Sequence, residues 1–143
     1  MTTCILTAID LTAEASWKIA LPKAVKLARQ NNAALHILYV VPDPGAAMLA
    51  EYFPADFAQK SIAKAASDLE ALVAAEVPAD LGAKVHLRNG RVHEEILAAI
   101  TETGADLVVM ASHAPDRVRE FLVGSEADRV VRRSPVSVYV VRG

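Results

Sequence analysis

Short apolar runs alternate along this chain with longer stretches of helical period. The runs cover residues 5–9, 35–41, 84–87, 107–110 and 136–141. They are rich in β-branched residues and mostly continuous rather than cleanly alternating. Strands covered on both faces of a parallel sheet read this way. The first helical stretch spans 15–31, with Ile19, Val25, Leu27 and Ala28 as its apolar stripe and Lys18, Lys23, Lys26 and Arg29 outward. Asn31 and Asn32 supply its stop. Pro22 lies inside it, which predicts a kink or a late start, since an interior proline costs about 3 kcal/mol.

A second helix is expected over 56–76, with Ile62, Ala65, Leu69, Leu72 and Val73 on one face. A third is expected over 92–103, with Ile96, Leu97 and Ile100 inward and Gly104 as its stop. A fourth, over 125–133, opens with Ser125 and Asp128 as a capping pair and closes on Arg132 and Arg133. The order β-α-β-α-β-α-β-α-β, with right-handed crossovers, predicts an α/β fold: an open, doubly wound parallel sheet with helices on both faces. Two irregular stretches remain, 42–55 and 112–123. The second is long for a β-α connection, and loops of that kind are usually functional or mobile.

Composition narrows the class. The 143 residues suit one domain, 1–143. Fifteen basic against 17 acidic residues give a net charge of −2. With 53% apolar residues, that balance excludes disorder and a generally basic nucleic-acid binder. Few aromatics argue against a base-stacking surface. The single cysteine, Cys4, excludes a disulfide framework. Every apolar run falls well short of the ~20 residues a membrane span needs. The first residues have no basic region or long apolar region of a signal peptide, so a cytoplasmic location is expected.

In open α/β sheets, ligands bind beyond the carboxyl ends of the strands, where strand order reverses. Asp10 ends the first run. It reads either as a loop-orienting carboxylate or as an acceptor for a ribose hydroxyl. Gly124 and Ser125 open the last helix, either as a turn with an N-cap or as an anion site of backbone N–H groups. His113 is the one obvious acid–base candidate in the 112–123 loop, and packing against or capping the turn is the commoner role for such a histidine. His36, His86 and His93 lack metal-ligand spacing, and His93 with Glu94 and Glu95 suits a helix entry. No Walker sequence and no Ser–His–Asp relay is present.

Five segments then carry a resemblance. They are Ile-Leu-Thr-Ala-Ile-Asp at 5–10, Leu-His-Ile-Leu-Tyr-Val-Val at 35–41, Gly-Arg-Val-His-Glu-Glu-Ile at 90–96, Ala-Asp-Leu-Val-Val-Met at 105–110, and the run 122–142. In this order and spacing the chain resembles the universal stress protein family over its whole length. The resemblance implies a five-stranded sheet of order 3-2-1-4-5 and a cytoplasmic homodimer paired through the last strand.

Many members of that family bind ATP through Gly-x-x-Gly, nine residues, then Gly-Ser or Gly-Thr. Here the leading glycines are Ala111 and Ala114, the nine residues 115–123 follow, and Gly124-Ser125 is kept. An alanine at positive φ costs roughly 1 kcal/mol, a fivefold to tenfold loss of affinity. The 111–116 stretch also resembles a subgroup with Ser-His-Arg-Pro-Asp, whose arginine is Ala114 here. Glu126 falls beside the phosphate position, where its carboxylate competes with an anion.

The resemblance implies a site for ATP or AMP, with Mg²⁺ as an accompanying ion. Ile9 and Val40 would flank the adenine, Asp10 would take the ribose, and Met110, Ala111, Ser112, His113, Gly124 and Ser125 would line the phosphate side. It allows at most slow ATP hydrolysis or autophosphorylation, with no catalytic residue assigned. The alternative is a nucleotide-free dimeric interaction module with an unknown protein partner. Its surface would be residues 42–57, with Met48, Leu49, Tyr52 and Phe53. A phosphorelay receiver would need a lysine after the last strand, where Arg142-Gly143 stands.

Overall fold

The computed structural model describes residues 2–42, 57–112 and 125–142. In chain order the elements are β1 (Cys4–Ile9), α1 (Glu14–Asn31), β2 (Ala34–Pro42) and α2 (Phe57–Glu76). A short 3-10 turn (Ala79–Leu81) follows, then β3 (Lys84–Gly90), α3 (Val92–Thr103), β4 (Leu107–Ala111), α4 (Ser125–Arg133) and β5 (Ser137–Val141). The five strands form one sheet in the order β3-β2-β1-β4-β5, and every neighbouring pair is parallel. The expected α/β topology is therefore the observed one.

Alternate residues of the central strands feed two cores. Ile5, Leu35, Ile37, Tyr39 and Val109 pack beneath α1 and α2. Leu6, Ala8, Leu38, Val40 and Val108 pack beneath α3 and α4. Because helices cover both faces, neither face needs polar side chains, and the strands read as unbroken apolar runs.

Helix α1 departs from expectation in two ways. It begins at Glu14 and runs through Pro22 without a late start. Pro22 and Lys18 both lie on the exposed side, so the Lys18 carbonyl that loses its helical partner faces water. The inward stripe is Ala20, Leu21, Ala24 and Ala28, while Ile19, Val25 and Leu27 are only half-buried. Small alanines let the helix lie close to the sheet. The helix ends at Asn32, which adopts the left-handed conformation at φ 50° and donates its N–H to the last-turn carbonyls.

Strand β3 is longer than its apolar residues suggest. Arg88, Asn89 and Gly90 continue the ladder against Val40, Val41 and Pro42. The Arg88 side chain is accommodated by Glu95 and Glu102 of α3. Strand β5 starts one residue late, because the Ser134 hydroxyl bonds both the N–H and the carbonyl of Val136. Both carboxylate oxygens of Asp128 accept from Nε of Arg132, one turn ahead. No described helix is long and apolar enough to cross a membrane.

Candidate functional site

Between β1 and β4 the ladder runs only from Ile5–Leu107 to Thr7–Val109. Beyond it the two strands end without pairing. Helix α1, which follows β1, packs on one face of the sheet, and α4, which follows β4, packs on the other. That is the switch point of a doubly wound sheet, and a crevice opens there.

A cavity of about 150 Å³ occupies the crevice. Ala8, Ile9 and Asp10 of the β1 end, Val40 of β2, and Met110 and Ala111 of β4 form its floor and strand-side wall. Val92 and Ile96 of α3 with Ala127 of α4 close the other side. Its polar rim is Asp10, Ser16 and Glu126. Of the residues expected at the site, Ile9, Asp10, Val40, Met110 and Ala111 thus meet in one place. Ser112 lies just beyond β4 and outside the lining. Its backbone N–H is taken by the Val141 carbonyl at 2.8 Å. Ser125 is the first residue of α4. His113, Ala114 and Gly124 lie outside the described residues, as does the 43–56 stretch with Met48, Leu49, Tyr52 and Phe53.

Asp10 organises its own loop. Its Oδ1 accepts from the Thr12 N–H at 2.9 Å and from the Thr12 hydroxyl at 2.6 Å. Its N–H donates to the Ser16 hydroxyl, which in turn donates to backbone carbonyls of the same turn. Among the described residues nothing donates to its second oxygen, Oδ2, and Asp10 lines the cavity. The loop-orienting reading of Asp10 is therefore the one its hydrogen bonds display.

Glu126 and His93 form a contact that the sequence did not disclose. His93 Nδ1 lies 3.2 Å from Oε2 of Glu126, and Arg129 Nη1 lies 3.0 Å from Oε1. His93 is buried on α3, so its role is to join α3 to α4 rather than only to start a helix. The partners are 33 residues apart in sequence, and no local pattern signals them. On the far side of Glu126 a wider cleft of about 570 Å³ opens, lined by Gly90, Arg91, Glu94, Arg129 and Arg133 among others. Glu126 lines both spaces. Among the described residues no group of three or more His, Cys, Asp and Glu is placed to hold a metal ion.

The fold and this crevice place the chain among doubly wound α/β proteins with an opening at the switch point. Comparison with known proteins is more specific. The model of the universal stress protein family matches residues 1–142. The chain belongs to that family. It is 34% identical over 127 residues to universal stress protein G of Escherichia coli O157:H7, covering 84% of this chain and 87% of that one. Among solved structures, universal stress protein UspA from Lactobacillus plantarum matches with a TM-score of 0.71 and 26% identity, covering 99% and 98% of the two chains. A universal stress protein crystallised in complex with cAMP matches with a TM-score of 0.62 and 21% identity, covering 99% and 97%. That last likeness is one of fold.

Proposed function

We propose that this universal stress protein binds an adenine nucleotide, ATP or AMP, in the crevice at the ends of β1, β2 and β4, and acts as a cytoplasmic, dimeric regulator of a stress response. The observation that carries the reading is the convergence of Ile9, Asp10, Val40, Met110 and Ala111 on one apolar cavity with a carboxylate at its rim. An apolar slot with a few polar groups suits a flat heterocycle joined to a sugar. The adenine lies against Ile9 and Val40, and Asp10 Oδ2 accepts from the ribose. Met110, Ala111, Ser112, His113, Gly124 and Ser125 border the phosphate side. A universal stress protein of the same fold is in complex with cAMP, which supports an adenine-containing ligand. Mg²⁺ would accompany a polyphosphate form.

A dimer through β5 is part of the proposal. This strand is the edge of the sheet, and Tyr139 on it is 40% exposed. Pairing with a second copy would cover an edge that otherwise invites aggregation.

The test is calorimetric titration of nucleotide-stripped protein with AMP and with ATP plus Mg²⁺. Ala8→Leu, which fills the cavity floor, serves as the control. Micromolar binding lost in the variant supports the reading. No heat at millimolar ligand, with an unshifted melting temperature, overturns it. The nucleotide-free interaction module then takes its place. The Ser112 N–H committed to Val141 favours that second reading, because a phosphate cannot use it.

A further inference from the structure

We propose that His93 is a positioning residue for the cavity: by holding Glu126 it fixes the first turn of α4 beside the strand ends, and ligand affinity depends on that hold. This rests on the nucleotide-binding reading above and deepens it. The helical wall of the cavity is a joint between two elements, Val92 and Ile96 of α3 and Ala127 of α4. Its width is therefore set by how α4 sits against α3. Helix α4 has nine residues, too few to hold a position without tertiary contacts. Its buried hydrophobic residues are Ala127 and Val130. Ala127 belongs to the first turn, is small, and borders the cavity instead of filling it. Apolar burial thus fixes the second turn of α4 better than the first.

A polar contact supplies what packing does not. Nδ1 of His93 lies 3.2 Å from Oε2 of Glu126, and among the described residues this is the one hydrogen bond that joins α3 to α4. A carboxylate only accepts, so Nδ1 carries the proton and donates. The His93 side chain is 11% exposed, so releasing Glu126 would leave a buried donor without its partner. The other oxygen of Glu126 accepts from Arg129 at 3.0 Å. That ion pair lies within α4 and ties the helix only to itself, which leaves His93 as the hydrogen-bonded tie to α3. His93 is next to Val92 in the chain and Glu126 is next to Ala127, so the bond lies beside the wall it fixes. A site whose supporting hydrogen bonds are lost becomes looser and binds more weakly, even with every contacting residue in place.

AMP, and separately ATP with Mg²⁺, is titrated into the full chain as wild type, His93→Leu, His93→Asn and Asp106→Asn. Asp106 bonds the amino ends of the strands, away from the cavity, so its variant controls for lost stability alone. His93→Leu is expected to bind about tenfold more weakly than wild type. His93→Asn, whose side-chain amide stands in for the Nδ1 donor, is expected within about threefold of wild type, and Asp106→Asn within about twofold. A leucine variant with wild-type affinity overturns the inference. So does an Asp106→Asn protein that loses as much affinity as the leucine variant, because stability alone then accounts for the effect. Should His93→Leu not fold, Glu126→Ala cuts the same bond from the more exposed side and is read by the same outcomes. If the wild type binds neither ligand, the nucleotide reading itself fails and takes the inference with it. If the wild type binds and the leucine variant binds equally, only the inference fails.

Discussion

The imidazoles of His36 and His86 meet across β2 and β3, with Nδ1 of one 2.8 Å from Nε2 of the other and the rings stacked at 5.0 Å. One ring must donate and the other accept, so the contact needs at least one neutral ring. Burial holds His36 below the ordinary 6.5, helped by His86 and Lys84. Burial also holds His86 below 6.5, helped by Arg88 and Lys84, while Glu102 pulls the other way. The unfolded chain therefore takes up protons that the folded chain refuses. Stability from this pair is complete above about pH 6.5 and is lost as pH falls from there through the lower folded values. Urea unfolding between about pH 8 and about pH 5 should show that decline. The slope should flatten when both histidines are replaced by leucine. A slope unchanged in the double variant would contradict the assignment.

Asp106 fastens the start of β4 to the start of β1. It accepts from the Thr3 N–H at 2.7 Å, the Thr3 hydroxyl at 2.9 Å and the Cys4 N–H at 3.4 Å. The Thr3 N–H chiefly holds this carboxyl below its usual value. Partial burial pulls it upward, and the Thr3 hydroxyl and Cys4 N–H assist in lowering it. Asp106→Asn should cost about 1–2 kcal/mol. Chemical denaturation at neutral pH checks the figure. The deficit should shrink in strong acid, where the wild-type carboxylate is itself protonated.

Gly90 ends β3 at φ +154°, and a Cβ built there would lie 3.1 Å from Cγ of Glu95. Glu95 in turn faces Arg88, so the crowding reaches an ion pair. Gly90→Ala should destabilise by about 1–3 kcal/mol. A thermal melt within a degree of wild type would show that the turn tolerates a side chain.

Thr7 is fully buried, and its hydroxyl donates to the Val109 carbonyl at 2.9 Å. Thr7→Val preserves the shape and removes that bond. A loss of about 0.5–1.5 kcal/mol is expected. The same variant should increase hydrogen exchange at Val109 and its neighbours before it affects β2 or β3.

Much of this architecture was legible because its signals are local. Gly104 stops α3 in the left-handed conformation at φ 71°, and a glycine at the end of a helical stretch announces that. Strand ends are also local, so Ile9, Asp10, Val40, Met110 and Ala111, which line one cavity, could be named together. Three residues of α3 and α4 that help close the cavity, Val92, Ile96 and Ala127, could not. Their direction depends on how α3 and α4 rotate onto the sheet. The His36–His86 and His93–Glu126 contacts were hidden for a related reason. Each needs the register between two elements, and nothing in a single strand or helix encodes it. The tail of β3 was missed because Arg88 looks like a loop residue until Glu95 and Glu102 are seen beside it.

The short β1–β4 ladder has a kinetic meaning as well. Its three pairs join residues 5–7 to residues 107–109, a closure across about a hundred positions that is entropically slow. The β1–β2, β2–β3 and β4–β5 pairs each connect strands adjacent in sequence. Two half-sheets can therefore assemble early and meet last along this seam. The crevice lies at the open end of the same seam and exists only once the halves have joined. A ligand held there binds the finished protein alone. It should slow unfolding while leaving the rate of folding untouched.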